Sequence, residues 1–190
     1  MERPGRGEGQ AHHGLLHPGR HPYRHALAIV ASGDVTVTLS NKGSVGVSHL
    51  VYPNRVLPFA ATPYTLAAGG QATHTWPGGT TPDRTYDLSV YGPDRFLRRF
   101  AGDATGTSPV VSAALVLGRT LGLKLTLGNP SRGPVTFTLA ANDFVTKTQT
   151  VTVGAGASSS VTWPVDQWGY YDLVVSALGG FRYRFACRVG

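Results

Sequence analysis

The sequence predicts an all-β protein, with two tandem immunoglobulin-like β-sandwich units preceded by a disordered N-terminal segment. Three observations support this fold class: blocks that recur in order, apolar residues at every second position, and frequent turn residues. Glycine and proline are abundant, at 25 and 13 of 190 residues, and only 14% of the residues are charged. No amphipathic stretch is long enough for a helix, so short strands joined by turns are the expected structure.

The internal repeat is the strongest of these observations. Three blocks recur in the same order without internal gaps: 35–52 and 123–140, 64–77 and 151–164, and 86–88 and 171–173. The small changes in offset fall between the blocks, where loops tolerate insertions. Chance does not easily produce three ordered blocks, so the chain contains two copies of one unit.

The repeated blocks have the pattern of half-buried strands. Val35, Val37 and Leu39 alternate with polar residues, and Phe181 and Phe185 alternate with arginines in the last block. A period of two places one set toward a core and the other toward solvent. Segments rich in Gly and Asn between the strands predict turns that need positive φ, so we expect one β-sandwich per copy.

We expect three segments: residues 1–22 as a disordered linker, 23–104 as the first sandwich and 105–190 as the second. Residues 1–22 are rich in Gly, Pro, Arg and His and have almost no apolar periodicity. The histidines are loosely spaced and lack a thiol or carboxylate framework, so we predict no metal site there. The chain has no apolar run long enough to span a membrane and no signal-peptide pattern.

Composition and residue distribution argue against several classes of function. The net charge of +7 is spread along the chain instead of forming the concentrated patch of a nucleic-acid binder, so no nucleic-acid partner is expected. Residues 75–190 contain no histidine, which excludes a histidine-based triad or metal site within the second copy. Cys187 alternates with core aromatics and is interpreted as a small buried side chain. The sequence predicts no catalytic residue and no cofactor.

Two pairs of equivalent residues favour structural roles. Asp87 and Asp172 could form a repeated carboxylate site, but we favour carboxylates that accept hydrogen bonds from the backbone or from arginine. Trp76 and Trp163 could bind a sugar or a lipid if exposed. Their equivalence across the repeat, each between Thr and Pro, favours a core or sheet-edge role.

Arginines and aromatic residues near the end of each copy are the candidate contact residues. Most such arginines merely solvate a face, but arginine is suited to phosphate, and a basic face with aromatics suits a phospholipid surface. Two of the aromatics lie in a predicted loop. The candidates for phospholipid or domain contact are Arg98, Arg99, Trp168, Tyr170, Arg182 and Arg184.

The closing block of each copy resembles a known family. Residues 86–103 (YDLSVYGPDRFLRRFAGD) and 171–189 (YDLVVSALGGFRYRFACRV) resemble the C-terminal repeat of bacterial phosphocholine-specific phospholipases C. The L-x-N core of residues 35–47 resembles the start of the same repeat, so the resemblance covers residues 23–190. The first copy has Asp94 and Arg95 where the second has Gly179 and Gly180, and we expect the two copies to differ at this turn.

The resemblance implies a non-catalytic C-terminal module of a secreted phospholipase C. In that family a large N-terminal domain of the alkaline-phosphatase type hydrolyses the phosphodiester. That catalytic domain is the implied partner, and a phospholipid membrane surface is a second. The module would stabilise the enzyme or present it to phospholipid. The alternative is a free-standing β-sandwich that binds carbohydrate or a protein partner.

Overall fold

A computed structural model describes residues 25–32, 34–55, 60–76, 84–104 and 108–189. The regular elements in these ranges are all strands, which confirms the predicted all-β class, and none of them is a helix that could cross a bilayer. The first copy contributes β1 (His25–Ser32), β2 (Asp34–Asn41), β3 (Val47–Pro53), β4 (Thr62–Leu66), β5 (Gln71–Trp76), β6 (Thr85–Tyr91) and β7 (Leu97–Asp103). The second copy contributes β8 (Val110–Val116), β9 (Gly122–Gly128), β10 (Val135–Asp143), β11 (Thr148–Val153), β12 (Ser158–Pro164), β13 (Tyr170–Ser176) and β14 (Arg182–Arg188).

Each copy combines a three-stranded and a four-stranded antiparallel sheet. The first copy has the strand orders β1-β2-β5 and β4-β3-β6-β7, and the second has β8-β9-β12 and β11-β10-β13-β14. The strand order is the same when each copy is numbered from its own first strand, so the sequence repeat is also a structural repeat. The three-plus-four arrangement of antiparallel strands is that of an immunoglobulin-like sandwich. The segment predicted to be disordered, 1–22, lies outside the described residues, and the boundaries 23–104 and 105–190 stay predictions.

The two copies share one sheet. Strand β7 of the first copy pairs with β14 of the second, so the two four-stranded sheets join into an eight-stranded sheet of order β11-β10-β13-β14-β7-β6-β3-β4. The pairing is antiparallel and places Arg99 opposite Arg184. The sequence pattern predicts two units but not this junction, which we call the seam. Edge strands that would otherwise expose unpaired N–H and C=O groups are thereby covered.

The core follows the predicted alternation. Leu123, Leu125 and Leu127 of β9 are fully buried, as are Phe137 and Leu139 of β10. Full burial of each such side chain stabilises the fold by about 1.5–3 kcal/mol relative to exposure. The equivalent strand of the first copy buries its apolar residues in the same way, so both copies contribute to the core.

A buried asparagine closes the same corner in each copy. The Asn129 side-chain amide donates to the carbonyls of Gly133 at 2.7 Å, Val153 at 3.0 Å and Gly154 at 3.0 Å. Asn41 makes the three equivalent donations in the first copy. The bond to Val153 is buried, so the amide satisfies a carbonyl that would be costly to bury alone. The asparagine of the L-x-N core therefore has a structural role.

Candidate functional site

The four candidate arginines lie on β7 and β14, beside the seam. Arg99 and Arg184 lie on the outer face of the shared sheet, and Arg182 is exposed on the same face. Arg98 points inward and is only 7% exposed. Its Nη1 donates to the carbonyl of Ala186 in the other copy at 3.1 Å. The Arg98 guanidinium is therefore a contact between the two copies and does not face an external phosphate.

Arg99 and Arg184 each hold a carboxylate of their own copy. The Nε and Nη2 of Arg99 donate to Asp87 at 2.8 and 2.6 Å, and those of Arg184 donate to Asp172 at 2.8 and 2.5 Å. This geometry confirms the hydrogen-bonding role favoured for the two aspartates. Burial alone would raise the pKa of Asp87, but hydrogen bonds from Arg99 and Asn54 outweigh it and hold that pKa below its ordinary value. Each arginine therefore uses its two parallel N–H donors to bind a carboxylate of the same sheet.

Trp168 and Tyr170 lie at one end of the second copy, in the β12–β13 loop and at the start of β13. Asp166 Oδ1 accepts the N–H of Trp168 at 2.9 Å and that of Tyr170 at 2.7 Å. Between them, Gly169 adopts a φ of 84°, and its carbonyl accepts the N–H of Val189 at 2.7 Å. These hydrogen bonds fix the loop, while the Trp168 residue stays 64% exposed. A fixed loop that leaves an indole in solvent is well suited to binding.

Tyr170 is the centre of an aromatic and basic group. The ring of Phe144 stacks on that of Tyr170, with centroids 5.2 Å apart and planes inclined by 24°. The guanidinium carbons of Arg95 and Arg188 each lie 5.4 Å from the Tyr170 centroid, within the range of a cation–π interaction. Arg188 Nε also donates to the Trp168 carbonyl at 3.0 Å. We call these five residues the Tyr170 cluster: Arg95, Phe144, Trp168, Tyr170 and Arg188.

Two residues of the Tyr170 cluster have a strained backbone conformation. Phe144 has a φ of 71° and Arg95 a φ of 60°, in the left-handed region that few non-glycine residues adopt. Asp94 and Arg95 share this region with Gly179 and Gly180 of the second copy, so the expectation that this turn differs between the copies is wrong for its backbone. The first copy adopts the same turn without glycine, at a cost in strain. Strain of this kind persists where surrounding contacts or function require it.

Exposed apolar side chains lie at the same end of the second sandwich as the Tyr170 cluster. The β8–β9, β10–β11 and β12–β13 loops lie at the same end of the second sandwich because their strands pair antiparallel. Leu117 is 52% exposed there, Phe144 is 37% exposed, and Arg119 is also exposed. An open concavity of about 500 Å³ is lined by residues 141–148. We call this surface the loop end: residues 117–121, 144–147 and 165–170 together with Arg95 and Arg188.

Two members of the Tyr170 cluster, Trp168 and Tyr170, are among the contact candidates predicted from the sequence. In the sequence Arg95 and Arg188 stand out only as arginines beside the last strand of each copy. Phe144 follows Asn142 and Asp143, a pair that signals a turn but does not reveal an aromatic in the left-handed region. Arg95 could not be assigned to the cluster because its contact with Tyr170 depends on how the two copies pair.

The described residues do not assemble a metal centre or an activated thiol. No group of three His, Cys, Asp or Glu side chains among them is placed to hold a metal ion. Burial raises the pKa of the Cys187 thiol, which is the reverse of what activates a nucleophile.

Trp163 is fully buried beneath Lys147, whose Nζ lies 5.2 Å from the ring centroid, so its predicted core role is confirmed. The side chain of Trp76 lies outside the described part of the chain.

Comparison with known proteins assigns the family. A family model described as bacterial phospholipase C, C-terminal domain, matches the chain twice, at residues 19–103 and 109–188. No curated protein matches the sequence. One solved structure, described as "Structural basis of neurohormone perception by the receptor tyrosine kinase Torso", is aligned over 88% of this chain and 73% of its own, at 7% identity and a TM-score of 0.28, which is too low to carry an argument. Since the two family matches cover most of the sequence, the chain belongs to the bacterial phospholipase C C-terminal domain family, of which it contains two consecutive copies.

Proposed function

We propose that this chain is the non-catalytic C-terminal module of a secreted bacterial phospholipase C, and that its loop end presents the enzyme to phospholipid. Hydrolysis of the phosphodiester would then belong to a separate catalytic domain, which is the expected protein partner. The observation that carries the proposal is the 64% exposed Trp168, held on a hydrogen-bonded loop beside two arginines.

The loop end combines the two chemistries that a bilayer surface requires. Trp168, Phe144 and Leu117 offer apolar and aromatic surface of the kind found at the level of lipid headgroups. Arg95 and Arg188 can bind phosphate oxygens, and a basic side chain near an anionic surface contributes about 1 kcal/mol. The loop already has the geometry that it would use at the membrane, so little conformational entropy is lost on binding.

The ligand of this surface is expected to be phosphate-bearing. Arg95 and Arg188 lie over the ring of Tyr170, and Phe144 stacks against the same ring. This arrangement leaves Tyr170 poorly placed to stack on a sugar. The guanidinium groups also disfavour the Tyr170 ring as a site for a quaternary ammonium, because like charges would be brought together in a partly desolvated site.

Vesicle co-sedimentation tests the proposal. The full chain is mixed with phosphatidylcholine vesicles, with and without phosphatidylglycerol, at low and high salt. We expect binding to the anionic vesicles that weakens as salt screens the arginines. Trp168→Ala should reduce binding roughly tenfold, because it removes the largest exposed apolar side chain of the loop end.

Leu178→Ala is the matched control. Leu178 is 95% exposed in the β13–β14 turn, at the opposite end of β13 from Tyr170. This variant loses an exposed apolar side chain without changing the loop end, so its binding should equal that of the parent. Absence of vesicle binding combined with retention on a glycan array would instead favour the carbohydrate-binding alternative. Turnover of p-nitrophenylphosphorylcholine by this chain alone would contradict the non-catalytic role.

A further inference from the structure

The seam has the geometry of a two-fold symmetric interface. Arg99 and Arg184 occupy equivalent positions of the repeat and lie opposite each other across the seam. A register that pairs a residue with its own equivalent is the one that a two-fold axis produces. On the inner face, Phe100 therefore lies opposite Tyr183, and its equivalent Phe185 lies opposite Arg98.

The hydrogen bonds of the seam follow the same relation. The hydroxyl groups of Tyr86 and Tyr183 lie 3.0 Å apart, and Arg98 Nη2 donates to the hydroxyl of Tyr171 at 2.8 Å. Tyr86 and Tyr171 are equivalent residues that close the inner face on either side of the seam. The two contacts differ only because the first copy has arginine at position 98 where the second has tyrosine at 183.

The buried Arg98 cation is accommodated by both copies. The Arg98 guanidinium carbon lies 4.5 Å from the ring centroid of Phe96 in its own copy, and 5.2 Å from that of Phe185 in the other copy. Its Nη1 also donates to the carbonyls of Leu97 and Ala186. One guanidinium thus finds hydrogen-bond acceptors and aromatic faces on both sides of the seam.

Pairing of two first copies, or of two second copies, would change the charges and the hydrogen bonds at the seam. Two first copies related by the same axis would bring two copies of Arg98 to diagonal positions of one buried strand pair, within reach of each other. Two guanidinium groups there would repel and would both lose water. Two second copies would place tyrosines at these positions and would lack the hydrogen bonds that Arg98 donates to carbonyl groups.

We propose that the Arg98 and Tyr183 difference makes the seam a recognition surface for an unlike copy of the repeat. The partner of the β7 edge is a β14 edge, and pairing of β7 with β7 is disfavoured by charge. Discrimination of this kind combines an attractive contact with a repulsive alternative. The short connection between the copies, from Asp103 to Val110, supplies the unlike partner at high effective concentration.

Exchange of the two residues in the full chain tests the proposal. Tyr183→Arg puts two guanidinium groups into the seam and should lower the Tm by roughly 6–10 °C. The double variant R98Y/Y183R restores one arginine and one tyrosine in exchanged positions, so it should recover more than half of that loss. Arg98→Tyr alone leaves a neutral seam and provides a folded reference if Tyr183→Arg does not fold.

A disulfide across the seam reports pairing independently of overall stability. Ala101 and Arg182 lie opposite each other, and the pair A101C/R182C is introduced with Cys187→Ala to remove the natural thiol. We expect rapid intramolecular crosslinking in the parent and the exchanged variant, and markedly slower crosslinking in Tyr183→Arg. The proposal is overturned if R98Y/Y183R is as unstable and as poorly crosslinked as Tyr183→Arg, or if Tyr183→Arg matches the parent in both measurements.

Discussion

Arg98 of the first copy donates a 2.8 Å hydrogen bond to the hydroxyl of Tyr171 in the second. Both residues are buried, so the bond between a cation and a phenol joins the two sandwiches within their core. Tyr86 and Tyr183 make the equivalent contact between neutral groups. The two copies are therefore held together by related contacts of unequal strength as well as by the shared sheet.

We expect Tyr171→Phe to be more destabilising than Tyr86→Phe. A hydrogen bond to a charged group contributes about 1.5–3 kcal/mol and one between neutral groups about 0.5–1.5 kcal/mol. Both variants lose only a hydroxyl, which makes them matched controls for each other. Urea unfolding measures the free energies, and a larger loss for Tyr86→Phe would contradict the importance of the Arg98 contact.

Replacement of the corner asparagine should be costly. Asn129→Ala leaves the buried Val153 carbonyl without its side-chain donor, and we expect a loss of about 1–3 kcal/mol in the free energy of unfolding. The Gly154 carbonyl keeps the N–H of Ala157 as a donor. Asn142→Ala serves as the control, because the Asn142 amide makes a single bond to Asp172 at 3.0 Å on the outer face. Thermal unfolding of both variants measures the two losses of stability. Equal losses for Asn129→Ala and Asn142→Ala would contradict the stabilising role of the corner asparagine.

Gly169 is expected to be essential for the loop that carries Trp168. Its φ of 84° disfavours any side chain, and an added Cβ would lie 2.1 Å from the Val189 carbonyl oxygen. Gly169→Ala should therefore lower the free energy of unfolding by more than about 2 kcal/mol. Gly118→Ala, where an added Cβ meets nothing within 4 Å, should change it by less than about 0.5 kcal/mol. Equal effects in chemical unfolding would show that the loop is not held as described.

The Asp87–Arg99 pair should make the free energy of unfolding depend on pH in the acidic range. The pKa of Asp87 is lower in the folded state than in the unfolded chain, so the carboxylate stabilises the fold above its unfolded pKa of about 3.9. That contribution is lost as the pH falls through the folded pKa. Asp87→Asn should flatten the dependence of unfolding free energy on pH below about pH 5, which urea titrations at several pH values can measure. An unchanged slope would contradict the role assigned to the carboxylate.

Much of the fold could be predicted from residue alternation and repetition. The strands of each copy follow the period of two, and the equivalent Asp residues accept hydrogen bonds from arginine, which was one of the two expected donors. The shared sheet was not predictable, because pairing of β7 with β14 satisfies backbone groups and leaves no periodic signal in side chains. Arg98 looked like a surface residue by its charge, although its position between Phe96 and Phe100 placed it on the inward face.

The candidate site was predicted less completely than the fold. Trp168 and Tyr170 are candidates because the sequence predicts both in an exposed loop, although Tyr170 begins β13 and is half-buried. Arg95 and Phe144 reach Tyr170 through left-handed backbone that neither residue type favours, so local propensity pointed away from the actual geometry. The contact of Arg95 also requires the two copies to be joined, which is a long-range property of the chain.

The fluorescence of Trp168 on vesicles gives the most direct test of membrane presentation. The parent and Trp168→Phe are mixed with anionic vesicles that contain brominated phosphatidylcholine, and the difference between them isolates the signal of this indole. The predicted result is a blue shift and quenching of the Trp168 signal on these vesicles. An unshifted and unquenched Trp168 signal, at lipid concentrations where the chain co-sediments, would contradict the account.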